Sequence, residues 1–246
     1  MPPPLSQCPA ALADLDHASA DVVLLAVESC FGAEVALACS FGVEDIALIE
    51  LCRRHAPSAR FFTIDTGRLP EATYELIDRV RDHFGIVVES FSPDAAQVQA
   101  LTSAKGFASF RRSVQDRQEC CRIRKVEPLA RALAGRQAWL TGLRRSQSVT
   151  RAQVDVVAWD GAYGLWKVNP LASWTTAQTW DFVRKNALPV NRLHAEGFSS
   201  IGCAPCTRAV AAGQDERAGR WWWEEPEHKE CGLHAPPSSS SAGPSS

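Results

Sequence analysis

An α/β fold, built on a mostly parallel twisted sheet flanked by helices, is what this sequence predicts, and three observations predict it. Short runs rich in Val, Leu, Ile and Phe alternate with longer segments of helical periodicity. Gly, Pro, Asp and Ser separate the two kinds of segment. Polar motifs follow the strand runs directly, at the strand ends where open α/β sheets carry their ligands.

The elements follow in order. The opening stretch to about Phe31 has helical periodicity, with Leu12, Leu15, Val22, Leu25 and Ala26 able to share a face. "EVALACS" reads as a buried strand, and "FGVEDI" opens a helix that runs through Arg54. "RFFTID" is a second strand. "LPEATYELIDRVRDHFG" is a helix with Pro70 at its start and Gly85 past its end. "IVVESF" is a third strand, followed by a helix from about Pro93. "QAWLTG", "VDVVAWD" and "YGLWKVNP" supply further strands. The last third has fewer strand signals and ends in "APPSSSSAGPSS", a composition that cannot bury enough apolar surface to fold.

Composition narrows the function. A chain of 246 residues with 46% hydrophobic residues suits one large domain, or a domain with an appended segment. A net charge of −2 offers no electrostatic footprint for nucleic acid. The N-terminus lacks a basic region and carries Asp14 and Asp16, and apolar runs such as "VVLLAV" are too short to span a bilayer. The reading is a cytoplasmic chain with no membrane role. Nine cysteines in such a chain point to metal ligands, catalytic thiols or core packing before disulfides. Cys8, Cys30, Cys39 and Cys52 have no ligand spacing and read as small hydrophobes.

Two loops stand out. In "SFGVED", Ser40, Phe41 and Gly42 precede a helix whose first turn holds Glu44 and Asp45. Backbone N–H groups there can approach a phosphate, and the helix N-terminus favours its charge. "IDTGRLPE" places Asp65, Thr66, Gly67 and Arg68 at the next strand end. Either loop alone reads as an ordinary strand-to-helix turn; the two together read as a nucleotide site. "TGLRRSQSVTR" adds Arg144, Arg145 and Arg151, suited to phosphate or sulfate, or else a solvated basic loop.

The remaining cysteines fall into two pairs and a single. Cys120 and Cys121 are adjacent in "QECCRIRKVEPL", and Cys203 and Cys206 form a C-x-x-C around Pro205. Four thiolates suit zinc or a 4Fe–4S cluster; the adjacent pair, unlike the usual zinc knuckle, shifts the balance toward iron–sulfur. Lys125, four residues after Cys121, lies on that cysteine's side if the segment is helical. Cys231 sits among His228, Lys229, Glu230 and His234, with Arg217 and Arg220 upstream and three residues apart; positive neighbours raise the thiolate fraction. It reads as an inert surface thiol or a nucleophile. Trp221, Trp222 and Trp223 read first as packing residues.

Taken together, "SFGVED", "IDTGRL", "ECCRIRKVEPL", "TGLRRSQSVTR", "IGCAPCTR", "ERAGRWWWE" and "ECGLH" resemble, in the same order, the assimilatory sulfonucleotide reductases, in particular the iron–sulfur-containing bacterial adenylyl-sulfate (APS) reductases. The match runs from about Val35 to His234. The resemblance implies an adenine-nucleotide α-hydrolase-like sheet of the ATP-pyrophosphatase type. After the N-terminal helical segment over 1–32, which the periodicity gives, it implies a nucleotide-binding α/β domain with a 4Fe–4S site over 33–212. A mobile segment carrying the nucleophile would span 213–234; the Ser- and Pro-rich tail over 235–246 lies beyond the resemblance and reads as disordered from its composition.

It further implies that Cys120, Cys121, Cys203 and Cys206 ligate one 4Fe–4S cluster per chain. Cys231 would attack the sulfur of APS, expel AMP and become an S-sulfocysteine. Thioredoxin or a similar dithiol would then release sulfite, in sulfate assimilation and cysteine biosynthesis. Ser40 through Asp45 and Asp65 through Arg68 would hold the nucleotide. Lys125, Arg151, Arg217, Arg220 and His234 would surround the phosphosulfate, and Arg144 would also bind the substrate. Glu44 and Asp45 are poor company for a 3′-phosphate, which favours APS over PAPS; a PAPS or dual-substrate enzyme with the same mechanism is the alternative. No thioredoxin-like domain follows Cys231, so the reductant is expected to be a separate protein. Homo-oligomers occur in the family. Two rivals fit less well. One is an adenylating ATP pyrophosphatase, whose S-G-G-x-D-S loop is replaced here by "SFGVEDI". The other is a metal-binding interaction protein stapled by the four cysteines, which needs no nucleotide loops.

Overall fold

The protein is described from a computed structural model, over residues 9–148, 151–211 and 213–225. Its elements begin with α1 (Ala20–Phe31), β1 (Val35–Ala38), α2 (Val43–His55), β2 (Arg60–Ile64), α3 (Glu71–Phe84), β3 (Val88–Phe91) and α4 (Ala95–Lys105). They continue with α5 (Val114–Cys121), a π-helical turn (Arg122–Val126), α6 (Glu127–Leu133), β4 (Ala138–Leu140), β5 (Val157–Asp160), β6 (Leu165–Val168) and α7 (Thr176–Lys185).

Local chemistry sets most boundaries. The Ser19 hydroxyl accepts from the Val22 N–H at the start of α1, and Asp94 accepts from Gln97 at the start of α4. Thr175 and Gln178 form a reciprocal capping box on α7. Pro70 precedes α3, and Gly85 ends it in the left-handed conformation (φ 63°), which costs a residue without Cβ little. The opening stretch departs from expectation. Only a 3-10 turn (Ala10–Leu12) forms before Ser19 restarts the helix, so the helical phase is reset. α1 therefore buries Val23, Leu24, Val27 and Phe31, while Val22 and Leu25 are exposed.

All six strands fall where the strand runs predict, in the order β3-β2-β1-β4-β6-β5. Neighbouring strands are parallel except at the β5–β6 edge, where Trp159 faces Trp166 edge-to-face at 5.3 Å. The larger core lies on the sheet face covered by α1, α2, α3 and α7. A smaller one, with Phe62, Leu129, Leu133 and Trp139, lies under α6 on the other. Burial of each such side chain contributes roughly 1.5–3 kcal/mol. From β1 the chain goes to β2 on one side, and β4 lies on the other. The loops after β1 and β4 thus diverge at a topological switch point, where a crevice must open.

Candidate functional site

A cleft of about 210 Å³ occupies that crevice. Its sheet-side wall is apolar, with Ala38, Phe62, Ile64, Leu129 and Trp139. Ser40 and Gly42, in the loop after β1, and the first turn of α2 line one rim. The Ser40 backbone N–H and hydroxyl both donate to Asp45 Oδ2, at 2.6 and 2.7 Å, so the loop is folded onto its own helix. Burial pushes the Asp45 carboxyl up to about 7, and the Glu44 charge adds to this, although the Ser40 bonds pull the other way. Phe41 takes a positive φ of 61° and turns its ring into the core, 1% exposed, which leaves its neighbours at the cleft. Gly142, after β4, approaches so closely that a Cβ there would lie 2.7 Å from Asp45 Oδ1 and 2.8 Å from Glu44 Cβ.

The loop after β2 connects this cleft to the cysteines. Asp65 accepts from the Gly67 N–H at 2.9 Å and the Tyr74 hydroxyl at 2.7 Å. Thr66 is buried; its Oγ1 lies 3.2 Å from Cys203 Sγ, and its carbonyl accepts from Arg124 Nη1 at 2.7 Å. Arg68 donates to the Phe107 carbonyl and lies over the Phe110 ring.

Cys120, Cys121, Cys203 and Cys206 are buried together in one cluster with Leu101, Phe110, Ile123 and Trp221. All are free thiols. The C-x-x-C forms a 3-10 turn (Ala204–Cys206). Burial raises the Cys203 thiol pKa, but Lys125, the Thr66 hydroxyl, Arg220 and Arg68 outweigh it and hold the thiol below its ordinary value. Burial and the neighbouring Cys203 push Cys206 up to about 12. Burial also raises Cys120, partly offset by Arg68 and Arg124. Trp221 is fully buried, with Arg220, Arg117 and Lys125 over its ring at 4.8, 4.9 and 5.9 Å. Its indole N–H is buried with no hydrogen-bond partner among the described residues. Among those residues, too, no group of three or more His, Cys, Asp or Glu side chains is placed to hold a metal ion.

The sequence spacing places Lys125 one α-turn after Cys121. The structure has a π turn there, Arg122–Val126, which widens the helix and directs Arg124 and Lys125 inward, 7% and 9% exposed. Arg217 lies in a turn and Arg220 in an isolated antiparallel bridge to Thr207 rather than on a helix, yet both line the cleft with Lys125 and Arg151. Gly202 admits Arg220: a Cβ at that position would overlap the guanidinium. Arg151 donates to Gln147 Oε1 at 2.6 Å.

Arg144 is different. It is 1% exposed, donates from Nε and Nη2 to Glu44 Oε1 at 3.0 and 2.7 Å, and reaches Glu216, Ser146 and Thr176 as well. It knits the rim together beside the cleft. Arg124, Gln147 and Glu216, the last of which also binds Thr176, lie inside the quoted motifs but are not singled out by them, and Arg117 lies outside every motif, four residues before Cys121 on one helical face. Cys231 and His234 lie outside the described residues.

The six-stranded, mostly parallel sheet, together with its likeness to solved structures, gives the chain an adenine-nucleotide α-hydrolase-like fold. FMN adenylyltransferase from Candida glabrata shares that fold, at 13% identity and a TM-score of 0.54 over 86% of this chain and 75% of its own. The phosphoadenylyl-sulfate (PAPS) reductase of Candida auris, solved as a phosphate complex, is more similar: 26% identity and a TM-score of 0.67, over 80% of this chain and 93% of that one. Residues 34–209 match the phosphoadenosine phosphosulfate reductase domain, and the chain belongs to that family. Relatives named adenosine 5′-phosphosulfate reductase include those of Allochromatium vinosum (53% identical, 81% of this chain and 78% of that one) and Pseudomonas aeruginosa strain LESB58 (46% identical, 95% and 90%). No helix among the described residues is long and apolar enough to cross a membrane.

Proposed function

We propose that this chain is a thioredoxin-dependent adenylyl-sulfate reductase, forming sulfite and AMP through an S-sulfocysteine at Cys231 in sulfate assimilation. One observation carries this reading. Lys125, Arg151, Arg217 and Arg220 converge on a cleft whose other rim is the Ser40–Asp45 loop at the switch point. An apolar wall for a purine, a helix N-terminus for a phosphate and four cations suit an adenylated anion. The names of the bacterial relatives favour APS. Glu44 and Glu216 on the rim disfavour a further phosphate there.

In this reading the Cys231 thiolate attacks the APS sulfur. The new S–S bond forms as the S–O bond to the phosphate breaks, and AMP leaves with that electron pair. Anion meets anion in this step, so the Arg and Lys side chains supply stabilisation that grows as charge moves onto the phosphate. The donor set fits a 4Fe–4S cluster. Four buried thiols lie in one cluster, and the charges of Lys125, Arg220 and Arg68 act on Cys203 within it. Cys120, Cys121, Cys203 and Cys206 would hold the cluster, and when bound it would supply a fixed anionic group that orders Lys125 and Arg220. The seven free thiols among the described residues accord with work in a reducing cytoplasm.

Anaerobically purified enzyme incubated with APS and no reductant should gain one sulfonate on Cys231 by intact mass. Cys231→Ser should keep the brown colour yet release no sulfite. Turnover by that variant would end the reading, and equal rates with APS and PAPS would end the substrate assignment alone.

A further inference from the structure

Beside the C-x-x-C turn, on its outer side, lies a face that the reaction in the cleft does not use. Phe107 is 78% exposed, the most exposed large hydrophobic residue among those described. Arg111 lies over the rings of Phe110, Trp222 and Trp223 at 5.6, 5.7 and 5.5 Å, and Arg208 lies over Trp222 at 5.3 Å. Trp222 and Trp223 meet edge-to-face at 4.7 Å and are half-buried, while Arg111 and Arg208 are exposed. Arg111 also donates to the Pro205 carbonyl at 3.3 Å, between Cys203 and Cys206. Neither arginine forms an ion pair among the described residues, and the nearby Glu224 is held by Arg117.

We infer that this aromatic and cationic face is where the protein dithiol docks, and that the partner presents an apolar surface with an acidic rim around its thiols. The inference rests on the S-sulfocysteine reading above. Three observations support it. A rigid platform of Trp and Phe carrying Arg is the composition of an interface core, with large contact area at little entropic cost. Two arginines without carboxylate partners among the described residues, in a chain of net charge −2, call for negative charge opposite them. The described chain ends at Glu225, two residues after Trp223 and six residues before Cys231. Six residues span at most about 20 Å, so a reductant seated here is within reach of the modified cysteine.

The chemistry then balances. One partner thiolate attacks Cys231 Sγ, an S–S bond forms, and sulfite leaves with the electron pair of the old bond. The second partner thiol, losing its proton, attacks the mixed disulfide and frees Cys231 as thiol. The partner is oxidised by two electrons to its disulfide.

The test uses cluster-loaded full-length enzyme, the Arg111→Glu/Arg208→Glu double variant and, separately, Phe107→Ser, an exposed change that leaves the core alone. Reduced thioredoxin is the protein dithiol and dithiothreitol the small one. The KM for thioredoxin should rise about tenfold or more, while dithiothreitol-driven sulfite release and reductant-free AMP release stay within about twofold of wild type. Calorimetric titration of thioredoxin into each enzyme should show the same loss of affinity. An unchanged KM, or equal slowing with dithiothreitol, overturns the inference. So does a change only in oligomeric state, which would make the face a contact between copies. Failure of wild type to release AMP sinks the S-sulfocysteine reading instead, and the titrations still decide whether the face binds the dithiol.

Discussion

Arg117 in α5 and Glu224 near the end of the described chain form a buried ion pair, their side chains 1% and 4% exposed. Nε donates to Glu224 Oε1 at 3.0 Å and Nη2 donates to Oε2 at 2.9 Å, a two-pronged grip. Because α5 also carries Cys120 and Cys121, one contact ties the cysteine helix to the segment bearing Arg220 and Trp221. Removing one member strands the other charge out of water. Glu224→Ala should cost about 3 kcal/mol or more in urea denaturation. The apolar pair Arg117→Met/Glu224→Leu should recover most of that. A loss below about 1 kcal/mol for the single variant would mean that the pair does not hold the segment.

Asp45 should give the stability a distinctive pH dependence. Its carboxyl is raised from 3.8 to about 7, with burial as the main cause, so between those values the folded chain binds more protons than the unfolded one. Stability contributed by the neutral acid is therefore full below pH 3.8, falls as pH rises from there toward about 7 and levels off above it. Asp45→Asn removes this titration. The difference in melting temperature between wild type and variant, followed from about pH 4.5 to about pH 8, should shift in the variant's favour as pH rises. A flat difference would contradict the burial argument.

Gly202 is predicted to set the place of Arg220. A methyl group there overlaps the guanidinium, which must swing away from the cleft. Gly202→Ala should raise KM for APS about tenfold or more while the protein stays folded. Gly161→Ala, at a position with open space around it, is the matched control. Equal kinetics for the two variants would remove Arg220 from the binding account.

Arg144→Lys tests the rim. A lysine cannot reach Glu44, Glu216, Ser146 and Thr176 in one plane. Thermal denaturation should show a loss of roughly 2 kcal/mol or more. AMP titration should show weaker binding as Glu44 loses its anchor. Wild-type AMP affinity in the variant would separate the rim from the nucleotide site.

How far could the sequence be read without the structure? The six strands, the Pro70-to-Gly85 helix and the two polar loops follow from short-range signals: hydrophobic runs, capping chemistry and turn residues. Cys39 and Cys52 were legible as core for the same reason, and both are buried. The opening helix misled because periodicity read across Ser19 runs through a cap that restarts the phase. Lys125 does lie beside the cysteines and at the cleft, but through a π turn, which leaves no mark in spacing counted at 3.6 residues per turn.

The alternating elements, the pairing of the four cysteines along the chain and the supply of cations are all written in the residue order, since each depends on neighbouring residues or on composition. Which cation faces what is a property of the folded molecule alone. Arg144 is enclosed by Glu44 and Glu216, 100 and 72 residues away, while Arg151, Arg217 and Arg220 line the cleft. The same holds for Arg117 with Glu224 and for Thr66 with Cys203, 107 and 137 residues apart. Such pairings depend on where the sheet order brings loops together and on which charges must find partners once buried, and no local run of residues carries either.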